Sequence, residues 1–591
     1  MFPRALAIGC VRCSAGFFIT LLAAPGCRNG PLPSVITLVD EAEPSSVGSF
    51  TLAGETRKAL STPPGQGASF DLVVPDTPSM RLAIAASTLG APVLPAPVTF
   101  RLVVNRAVVF EEVVRRSEAN RWHPYEVDLS AYAGQRVRLE LEAESSAHRG
   151  SLPLWGYPSL VAKGHVPERP SILLISIDCL RADHLGAYGY HRETTPNLDA
   201  LAKQAVVFHQ AMATSSYTLP THASMLTGLP PSFHGATIKR PVSRQVDYAP
   251  ELLARAGYRV EAIVSAPFLS QVYGFERGFH RYRLVSAGAA QLVDEALHSL
   301  RAAEGQSHFL FLHFFDVHMP YTPPRELRAR FGERPPDITA LVDMVEKRAP
   351  PASPSEIEQV IALYDGEIAY VDRELGRLFE ALRSSGAYDR TLIVVTADHG
   401  EGFHEHGAWE HARPWLSGPG LYDEVLHVPL IVKWPGDSTA SRVESVVSQV
   451  DIFPTLLAVA GLSTTTHWAR DLADAKSPRR VLAELAVEGA DGAVVRHVAL
   501  RDDRFKYIWS DVGEELYDLA TDPEEVINLA ATDDARLAGF RAALRDYLRQ
   551  ASAVHSTEEE ISLDGALLEQ LEQLGYVPPA VPPDDDQGDE R

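Results

Sequence analysis

Residues 218–228, with the sequence TLPTHASMLTG, place a hydroxyl side chain where a helix is predicted to begin. Thr218 opens the segment, Thr221 is positioned to cap the helix, and His222 follows Thr218 by one helical turn. Free N–H groups at a helix N-terminus favour an incoming anion. The segment therefore predicts that Thr218 is a nucleophile for an anionic substrate. The alternative is an ordinary capped helix without a chemical role.

Two apolar segments elsewhere in the chain each end in an aspartate. Residues 171–178 (SILLISID) and 391–399 (TLIVVTADH) predict buried parallel strands that deliver Asp178, Asp398 and His399 at their C-terminal ends. Ligands in open α/β sheets bind at those ends. Two carboxylates and an imidazole suit a divalent cation and would be costly to bury unpaired. The alternative is that each aspartate caps a turn.

The order of these motifs resembles the sulfatase family of the alkaline-phosphatase superfamily over residues 171–530. That resemblance implies an α/β fold, an alkaline-phosphatase-like α/β/α sandwich, and an ester hydrolase acting on sulfate or phosphate esters. It also implies one divalent metal held by Asp178, Asp398, His399 and Thr218. The segments that carry the resemblance are 178–183, 218–228, 313–321, 364–372, 398–401, 421–431, 450–461 and 515–523.

Three positions depart from the family pattern. Sulfatases have Cys or Ser at the position of Thr218, and that residue is oxidised to formylglycine. The extra methyl group of threonine closes the aldehyde route, so no formylglycine is expected, although a threonine attacks phosphorus in the related phosphoethanolamine transferases. Cys179 stands where the family has a second aspartate, so the metal is calcium, zinc or manganese, with the last two favoured. His222 replaces an arginine.

The resemblance also supplies candidate acid and base groups. His318 lies in a segment similar to the family's substrate-histidine loop, and His411 stands where the family often has a lysine or histidine. With Thr218 and His222 they form the predicted catalytic set, in which the histidines stabilise anionic oxygens or protonate the leaving group.

Three functions remain open from the sequence. The first is an exported metal-dependent hydrolase of sulfate or phosphate esters with a threonine nucleophile. The second is a phosphoryl transferase, of the phosphoethanolamine type, on an envelope lipid or glycan. The third is a binding protein whose active site has decayed, suggested by the changes at Cys179 and His222.

Composition limits the partners. The 591-residue chain is too long for one core, and its formal net charge is −23. No basic stripe is present, which argues against nucleic acid as a partner. A small anionic ester, or a sulfated or phosphorylated glycan or lipid, remains compatible because a metal and a helix terminus can invert the local field.

The N-terminus predicts export. Residues 1–27 combine two arginines with a short apolar core at 15–24, which is typical of a signal peptide. Cys27 is either a lipid anchor or part of a simple secretion signal. We therefore expect the protein in the cell envelope, at the periplasm or outer surface, or secreted. Cys179 would be the one cysteine of the folded body, so no disulfide framework is expected.

The remaining patterns divide the mature chain. Residues 31–165 alternate apolar and polar positions and resemble a galactose-binding-like β-sandwich, or jelly roll. Residues 170–530 alternate predicted strands and helices, as a sheet covered on both faces requires. Residues 531–577 have helical periodicity, and 578–591 form an acidic tail predicted to be disordered.

Overall fold

A computed structural model describes residues 35–88, 93–147, 150–162, 167–331, 353–411, 420–475, 477–488, 494–511, 513–554, 559–563 and 565–573. The predicted signal peptide with Cys27 and the acidic tail 578–591 lie outside the described residues. Within the described part, the chain divides into two compact units, one of residues 35–53 and 57–162 and the other of residues 54–56 and 167–573.

The first unit is rich in strands. They are β1 (Val35–Thr37), β2 (Val47–Leu52), β3 (Glu55–Ser61), β4 (Gly67–Val73), β5 (Pro78–Ser87), β6 (Val98–Val104), β7 (Ala107–Val114), β8 (His123–Asp128), β9 (Arg136–Ser145) and β10 (Leu152–Ala162). One antiparallel sheet has the order β4-β9-β6-β7. In the other, β3-β10-β5-β8 are antiparallel neighbours, with β1 beside β10 and β2 beside β3.

The two sheets of this unit share one apolar core. Phe100 of β6 packs edge-on against Trp155 of β10, with 5.1 Å between the ring centroids. Along β9, Val137, Leu139 and Leu141 are buried while their neighbours are more exposed, because alternate residues of a strand point to opposite faces. Strand β9 therefore has one face in the core and one face toward solvent, as the alternating sequence predicts.

The second unit alternates strands and helices. Its strands are β11 (Ser171–Ile177), β12 (Val206–Phe208), β13 (Ala211–Met212), β14 (Arg259–Val264), β15 (Arg281–Leu284), β16 (His308–Phe314), β17 (Thr391–Ala397), β18 (Gly402–Phe403), β19 (Trp409–Glu410), β20 (His427–Val428), β21 (Leu430–Lys433), β22 (Ser441–Val443), β23 (Val447–Ser448), β24 (Val481–Glu488), β25 (Val494–Arg501), β26 (Phe505–Ser510) and β27 (Gly513–Asp518). Its helices are α1 (Pro196–Ala202), α2 (Thr218–Thr227), α3 (Pro231–His234), α4 (Ala249–Arg255), α5 (Ala289–Ala302), α6 (Arg325–Phe331), α7 (Pro354–Ser384), α8 (Asp423–Leu426), α9 (Ile452–Val459), α10 (Asp534–Ala551) and α11 (Gly565–Gln573).

The central sheet of this unit has the order β22-β12-β21-β17-β11-β16-β14-β15. Strands β17, β11, β16, β14 and β15 are parallel to one another, and β21 joins β17 antiparallel. The middle strands are buried along their whole length, as expected for strands covered on both faces. Helices α1, α5 and α6 pack on α7, whereas α2, α4 and α9 pack on one another. The predicted fold class is confirmed: a mixed α/β sheet of the alkaline-phosphatase type, with a strand-rich N-terminal region of antiparallel sheets.

The C-terminal part forms a smaller layer. Strands β24-β25-β26-β27 make an antiparallel sheet, and α10 packs its apolar side on it through Leu537, Phe540 and Leu544. None of the helices in the described residues is long and apolar enough to cross a membrane.

Candidate active site

Three neighbouring strands bring the polar residues of the site to one edge of the central sheet. Strand β11 ends at Ile177 and β17 at Ala397, and these two residues are register partners in the parallel pair. Asp178 and Asp398 therefore leave the sheet side by side. The backbone N–H of Asp178 donates to the carbonyl of Phe314, at 2.9 Å, which joins the end of β16 to the same edge. This is the edge at which open α/β sheets bind ligands.

Thr218 is the first residue of α2 and is almost completely buried. Its hydroxyl donates to Oδ2 of Asp178 at 3.4 Å. The predicted cap at Thr221 is wrong: its hydroxyl donates to the carbonyls of Tyr217 and Thr218, as a threonine inside a helix does. The first N–H groups of α2 have no such side-chain acceptor from its N-cap residue Tyr217. The helix thus begins beside a reactive hydroxyl.

Asp178, Asp398 and His399 are fully buried and each places a ligand atom within 4.8 Å of the other two. The N–H at Nδ1 of His399 donates to the carbonyl of Gly400, which leaves the lone pair of Nε2 directed at the carboxylates. Nε2 lies 3.4 Å from Oδ2 of Asp398 and 3.7 Å from Oδ1 of Asp178. Burial opposes the charged form of His399, but both carboxylates outweigh it and raise its pKa.

The donor chemistry of these three residues fits a divalent cation. Oδ2 of Asp398 and Nε2 of His399 have no hydrogen-bond partner, although both are buried. A lone pair and a carboxylate oxygen that face each other repel unless a proton or cation lies between them. We call Asp178, Asp398 and His399 the first ligand set.

His222 contacts the first turn of α2. Its Nδ1 lies 2.8 Å from the carbonyl oxygen of Thr218 and its Nε2 lies 2.9 Å from the hydroxyl of Ser176. Because a carbonyl only accepts, Nδ1 carries the proton in this arrangement and Nε2 accepts from the serine. Burial, reinforced by the neighbouring His313, lowers the pKa of His222 to about 3. The ring is therefore neutral at neutral pH.

His318 and His411 lie on the other side of the first ligand set. Their ring centroids are 5.4 Å apart, and those of His411 and His399 are 4.3 Å apart. Nδ1 of His318 donates to the carbonyl of Met319, and burial lowers the pKa of His318 to about 4. Nδ1 of His411 lies 3.2 Å from Oε1 of Glu401. Both histidines that the sequence singled out are thus gathered with the metal-ligating groups.

Cys179 lies between the first ligand set and the pair of histidines, His318 and His411. Its thiol donates to Oδ1 of Asp178 at 3.1 Å and lies 3.7 Å from Nδ1 of His411. Burial, with added repulsion from Glu401 and the two aspartates, raises the pKa of Cys179 well above its usual value. Its backbone adopts a φ of 56°, in the left-handed region. Cys179 shares one candidate ligand group with His399 and His411 and another with Asp178 and His318.

Sequence reasoning missed two residues of the site. His313 is fully buried in β16, and its Nε2 lies 3.4 Å from Oδ2 of Asp178. Its position near the end of an apolar strand, as for Asp178 and Asp398, was the available signal. Glu401 lies in the loop that follows β17; its Oε1 is 3.2 Å from Nδ1 of His411, and its Oε2 accepts the hydroxyl of Tyr321.

A cleft of about 630 Å³ opens beside His318. Its wall includes Phe315 and Tyr370, one guanidinium from Arg328, and the carboxyls of Asp316 and Glu367. Burial raises the pKa of Asp316 to about 6 and that of Glu367 to about 8. At neutral pH the carboxyl of Glu367 is therefore mostly protonated, and the cleft is lined by polar groups that include His318.

Residues 170–462 match the sulfatase family, and residues 410–553 match the C-terminal part of N-sulphoglucosamine sulphohydrolase. The chain belongs to the sulfatase family. The resemblance predicted from its motifs is confirmed. Members of this family depend on a metal. This chain has groups of residues suited to hold a metal ion, and these groups do not establish which metal it is.

Individual relatives agree with this assignment. Arylsulfatase K of Xenopus laevis is 29% identical over 225 residues, 35% of this chain and 40% of that relative, so the match spans less than half of its length. A sulfatase of Formosa agariphila is 25% identical over 476 residues, 68% of this chain and 91% of the relative. A phosphonate monoester hydrolase of Agrobacterium radiobacter is 26% identical with a TM-score of 0.53, covering 65% of this chain and 96% of that one. These matches confirm the predicted enzyme class, a sulfuric or phosphoric ester hydrolase.

Proposed function

We propose that this protein is an exported, metal-dependent hydrolase of sulfate or phosphate esters that uses Thr218 as its nucleophile. One observation carries the proposal: the hydroxyl of Thr218 lies at the start of α2, 3.4 Å from Asp178 and beside a buried ligand set in which Oδ2 of Asp398 and Nε2 of His399 have no hydrogen-bond partner. A hydroxyl in this position meets the requirements for in-line attack on an anion held at a helix N-terminus.

The proposed metal would be held by Asp178, Asp398, His399 and Thr218. When bound, such a cation supplies Lewis-acid stabilisation of a negatively charged ester and favours the ionised form of a neighbouring hydroxyl. Calcium, zinc and manganese are all compatible with two carboxylates and an imidazole, and the soft neighbours Cys179 and His411 favour zinc or manganese.

The protein's own residues account for the bond changes. The oxygen of Thr218 forms a bond to sulfur or phosphorus, its proton passes toward Asp178, and the bond to the leaving-group oxygen breaks. His411 gives a proton to that oxygen, whereas His318, whose buried ring is neutral near neutral pH, is suited to take a proton from the attacking water. Water then attacks the Thr218 ester, which releases inorganic sulfate or phosphate and restores the hydroxyl. The methyl group on Cβ of threonine excludes release through an aldehyde, so we expect no formylglycine.

His222 has a positioning part in this proposal. By binding the carbonyl of Thr218 and the hydroxyl of Ser176, it fixes the first turn of α2 against β11. Because burial holds its pKa near 3, a neutral ring that orients the nucleophile fits this residue better than a proton carrier does.

The substrate is proposed to be a small anionic ester or a sulfated or phosphorylated glycan or lipid. The cleft beside His318 supports this class, because it has hydrogen-bonding groups and aromatic walls suited to a polar leaving group. The phosphoryl transferase remains the second candidate, since the same threonine ester could be passed to a hydroxyl instead of water.

Substitution of Thr218 tests the function. We expect Thr218→Ala to lower the turnover of the best ester in a panel of aryl sulfates, phosphate monoesters, diesters and phosphonates by at least about 10³-fold. Thr218→Ser, which keeps the hydroxyl, should retain measurable turnover. Unchanged activity in Thr218→Ala, with a normal circular dichroism spectrum, would remove Thr218 from the chemistry. Product analysis with an added alcohol separates hydrolysis from transfer.

A further inference from the structure

His313 is a buried imidazole that the proposed reaction does not use. It is fully buried in the central sheet, and neither of its ring nitrogens has a hydrogen-bond partner. Leaving such a group unsatisfied is costly. Its Nε2 lies 3.4 Å from Oδ2 of Asp178. An uncharged imidazole nitrogen aimed at a carboxylate oxygen indicates that a proton or cation belongs between them.

The two oxygens of Asp178 face different imidazoles. Oδ1 is the oxygen nearer to His399, at 3.7 Å from Nε2, whereas Oδ2 faces His313. Oδ2 is also the oxygen that accepts from the hydroxyl of Thr218. A carboxylate in this position can bind one cation through each oxygen.

Asp398 is likewise placed between two groups. Its Oδ1 accepts the backbone N–H of Cys179 and of His399, which fixes the carboxylate plane. Its Oδ2 is unpartnered, 3.4 Å from Nε2 of His399 and 3.9 Å from Nδ1 of His222. His222, His313 and Asp398 each offer a ligand atom within 4.8 Å of the other two. We call them the second ligand set.

The hydrogen bonds of His222 are compatible with metal binding. If the ring proton moves from Nδ1 to Nε2, the hydroxyl of Ser176 accepts it, and the lone pair of Nδ1 turns toward Asp398. Histidine ligands commonly donate their other N–H to an oxygen in this way. The carbonyl of Thr218, which then loses a donor, faces the same space and is itself attracted to a cation.

We propose that this centre binds two cations, the second held by His222, His313 and Asp398 beside the hydroxyl of Thr218. Two imidazole nitrogens and one carboxylate oxygen favour zinc over calcium, because calcium prefers oxygen ligands. With Asp398 common to both ligand sets, the ions would lie about 3.5–4 Å apart, as in other two-metal centres. This inference shares Asp398 with the proposed catalytic centre but does not depend on which ester is hydrolysed.

Metal stoichiometry tests the second site. Full-length mature protein is stripped with a chelator, saturated with Zn²⁺, freed of excess zinc by gel filtration and measured by elemental analysis. We expect two zinc ions per chain in the wild type and one in both His313→Gln and His222→Gln. The matched control is His308→Gln, which removes a buried, neutral histidine of the same strand outside both ligand sets and should keep two ions.

A second readout covers variants that fold poorly. In protein loaded with Mn²⁺, two ions about 3.5–4 Å apart give an exchange-coupled electron paramagnetic resonance spectrum, which should be lost in His313→Gln. Wild-type protein that binds a single ion and shows an uncoupled manganese spectrum overturns the inference. Retention of the second ion by His313→Gln does so as well. If the protein hydrolyses esters with one bound ion, the second site is rejected and the proposed function stays. If it binds two ions and Thr218→Ala is fully active, the second site stays and the proposed function is rejected.

Discussion

At the scale of single residues, the site depends on carboxylates whose oxygens have separate partners. In Asp398, one oxygen is held by two backbone N–H groups and the other is free to bind a ligand. The backbone thereby orients the side chain before any ligand arrives. An asparagine would preserve the first interaction, through its carbonyl oxygen, and lose the charge of the second.

We therefore expect Asp398→Asn to fold normally while its metal affinity falls by more than about 100-fold and its turnover falls with it. Elemental analysis and an ester hydrolysis assay on the same preparation measure both. Asp389→Asn, which changes an exposed aspartate just before β17, is the control and should retain metal and activity. An Asp398→Asn variant that works without metal would contradict the role given to the cation.

The sequence predicted part of this site. Asp178, Asp398, His399 and Thr218 were predictable because each follows a strong local signal, an apolar strand or a helix start. His313 was not, because its importance depends on the register of β16 beside β11, which pairs His313 with Ser176. The misassigned cap at Thr221 has a similar cause: the helix begins at Thr218, four residues earlier than a cap at Thr221 would require.

At the scale of elements, a short helix steadies the start of α2. Nδ1 of His234, the last residue of α3, accepts the backbone N–H of Ala236, and Nε2 lies 3.1 Å from the carbonyl of Pro220. Nδ1 can accept a hydrogen bond while Nε2 donates one only if the ring is neutral. Burial lowers the pKa of His234 to about 3 from its ordinary 6.5. Protonation would break the bond from Ala236 and loosen the turn that follows α2.

This arrangement predicts acid sensitivity. Below pH 6.5 the unfolded chain takes up a proton at His234 that the folded protein excludes, so stability is complete above 6.5 and declines as pH falls toward 3. The decline approaches about 1.4 kcal/mol per pH unit. In His234→Asn, the drop in free energy of unfolding between pH 7 and pH 5 should be smaller by about 2 kcal/mol. Urea titrations measure it, with His191→Asn, at an exposed site, as a control that should behave as wild type.

The helices, strands and turns were more predictable from the sequence than the contacts between them. Helices α1 and α4 each have a proline in the first turn, and the turn that follows β6 has positive φ at both Asn105 and Arg106. Such features are fixed locally by proline, glycine and turn residues. The order of strands in the sheet is fixed by long-range packing, so the meeting of β11, β16 and β17 had to come from the family resemblance and the structure.

At the scale of the whole second unit, a buried ion cluster connects the C-terminal sheet to the segment that packs on the loop after β17. The ammonium group of Lys506 in β26 is fully buried, 2.8 Å from Asp423 and 2.9 Å from Glu525. Arg501 of β25 also reaches Asp423, at 2.8 Å. Asp423 begins α8, whose residues Glu424 and Val425 accept the backbone N–H groups of Glu401 and Gly400.

Removing the lysine should be costly because it takes the cation from the buried carboxyl of Glu525 and leaves Asp423 with Arg501 as its remaining partner in the cluster. We expect Lys506→Met to lower the free energy of unfolding by about 3–5 kcal/mol, measured by urea denaturation. Arg504→Met, in which a more exposed pair with Asp518 is lost, should cost less than about 1 kcal/mol. Equal effects of the two substitutions would show that the buried cluster does not hold the sheet in place.

The Lys506 cluster also bears on how this protein can be dissected. A shortened form that ends before β24 would lack Arg501 and Lys506, the cations that bind Asp423. Asp423 begins the helix that packs on the segment carrying Glu401 and His399. Efforts to trim the molecule to a minimal catalytic fragment should therefore keep the whole C-terminal sheet from β24 to β27.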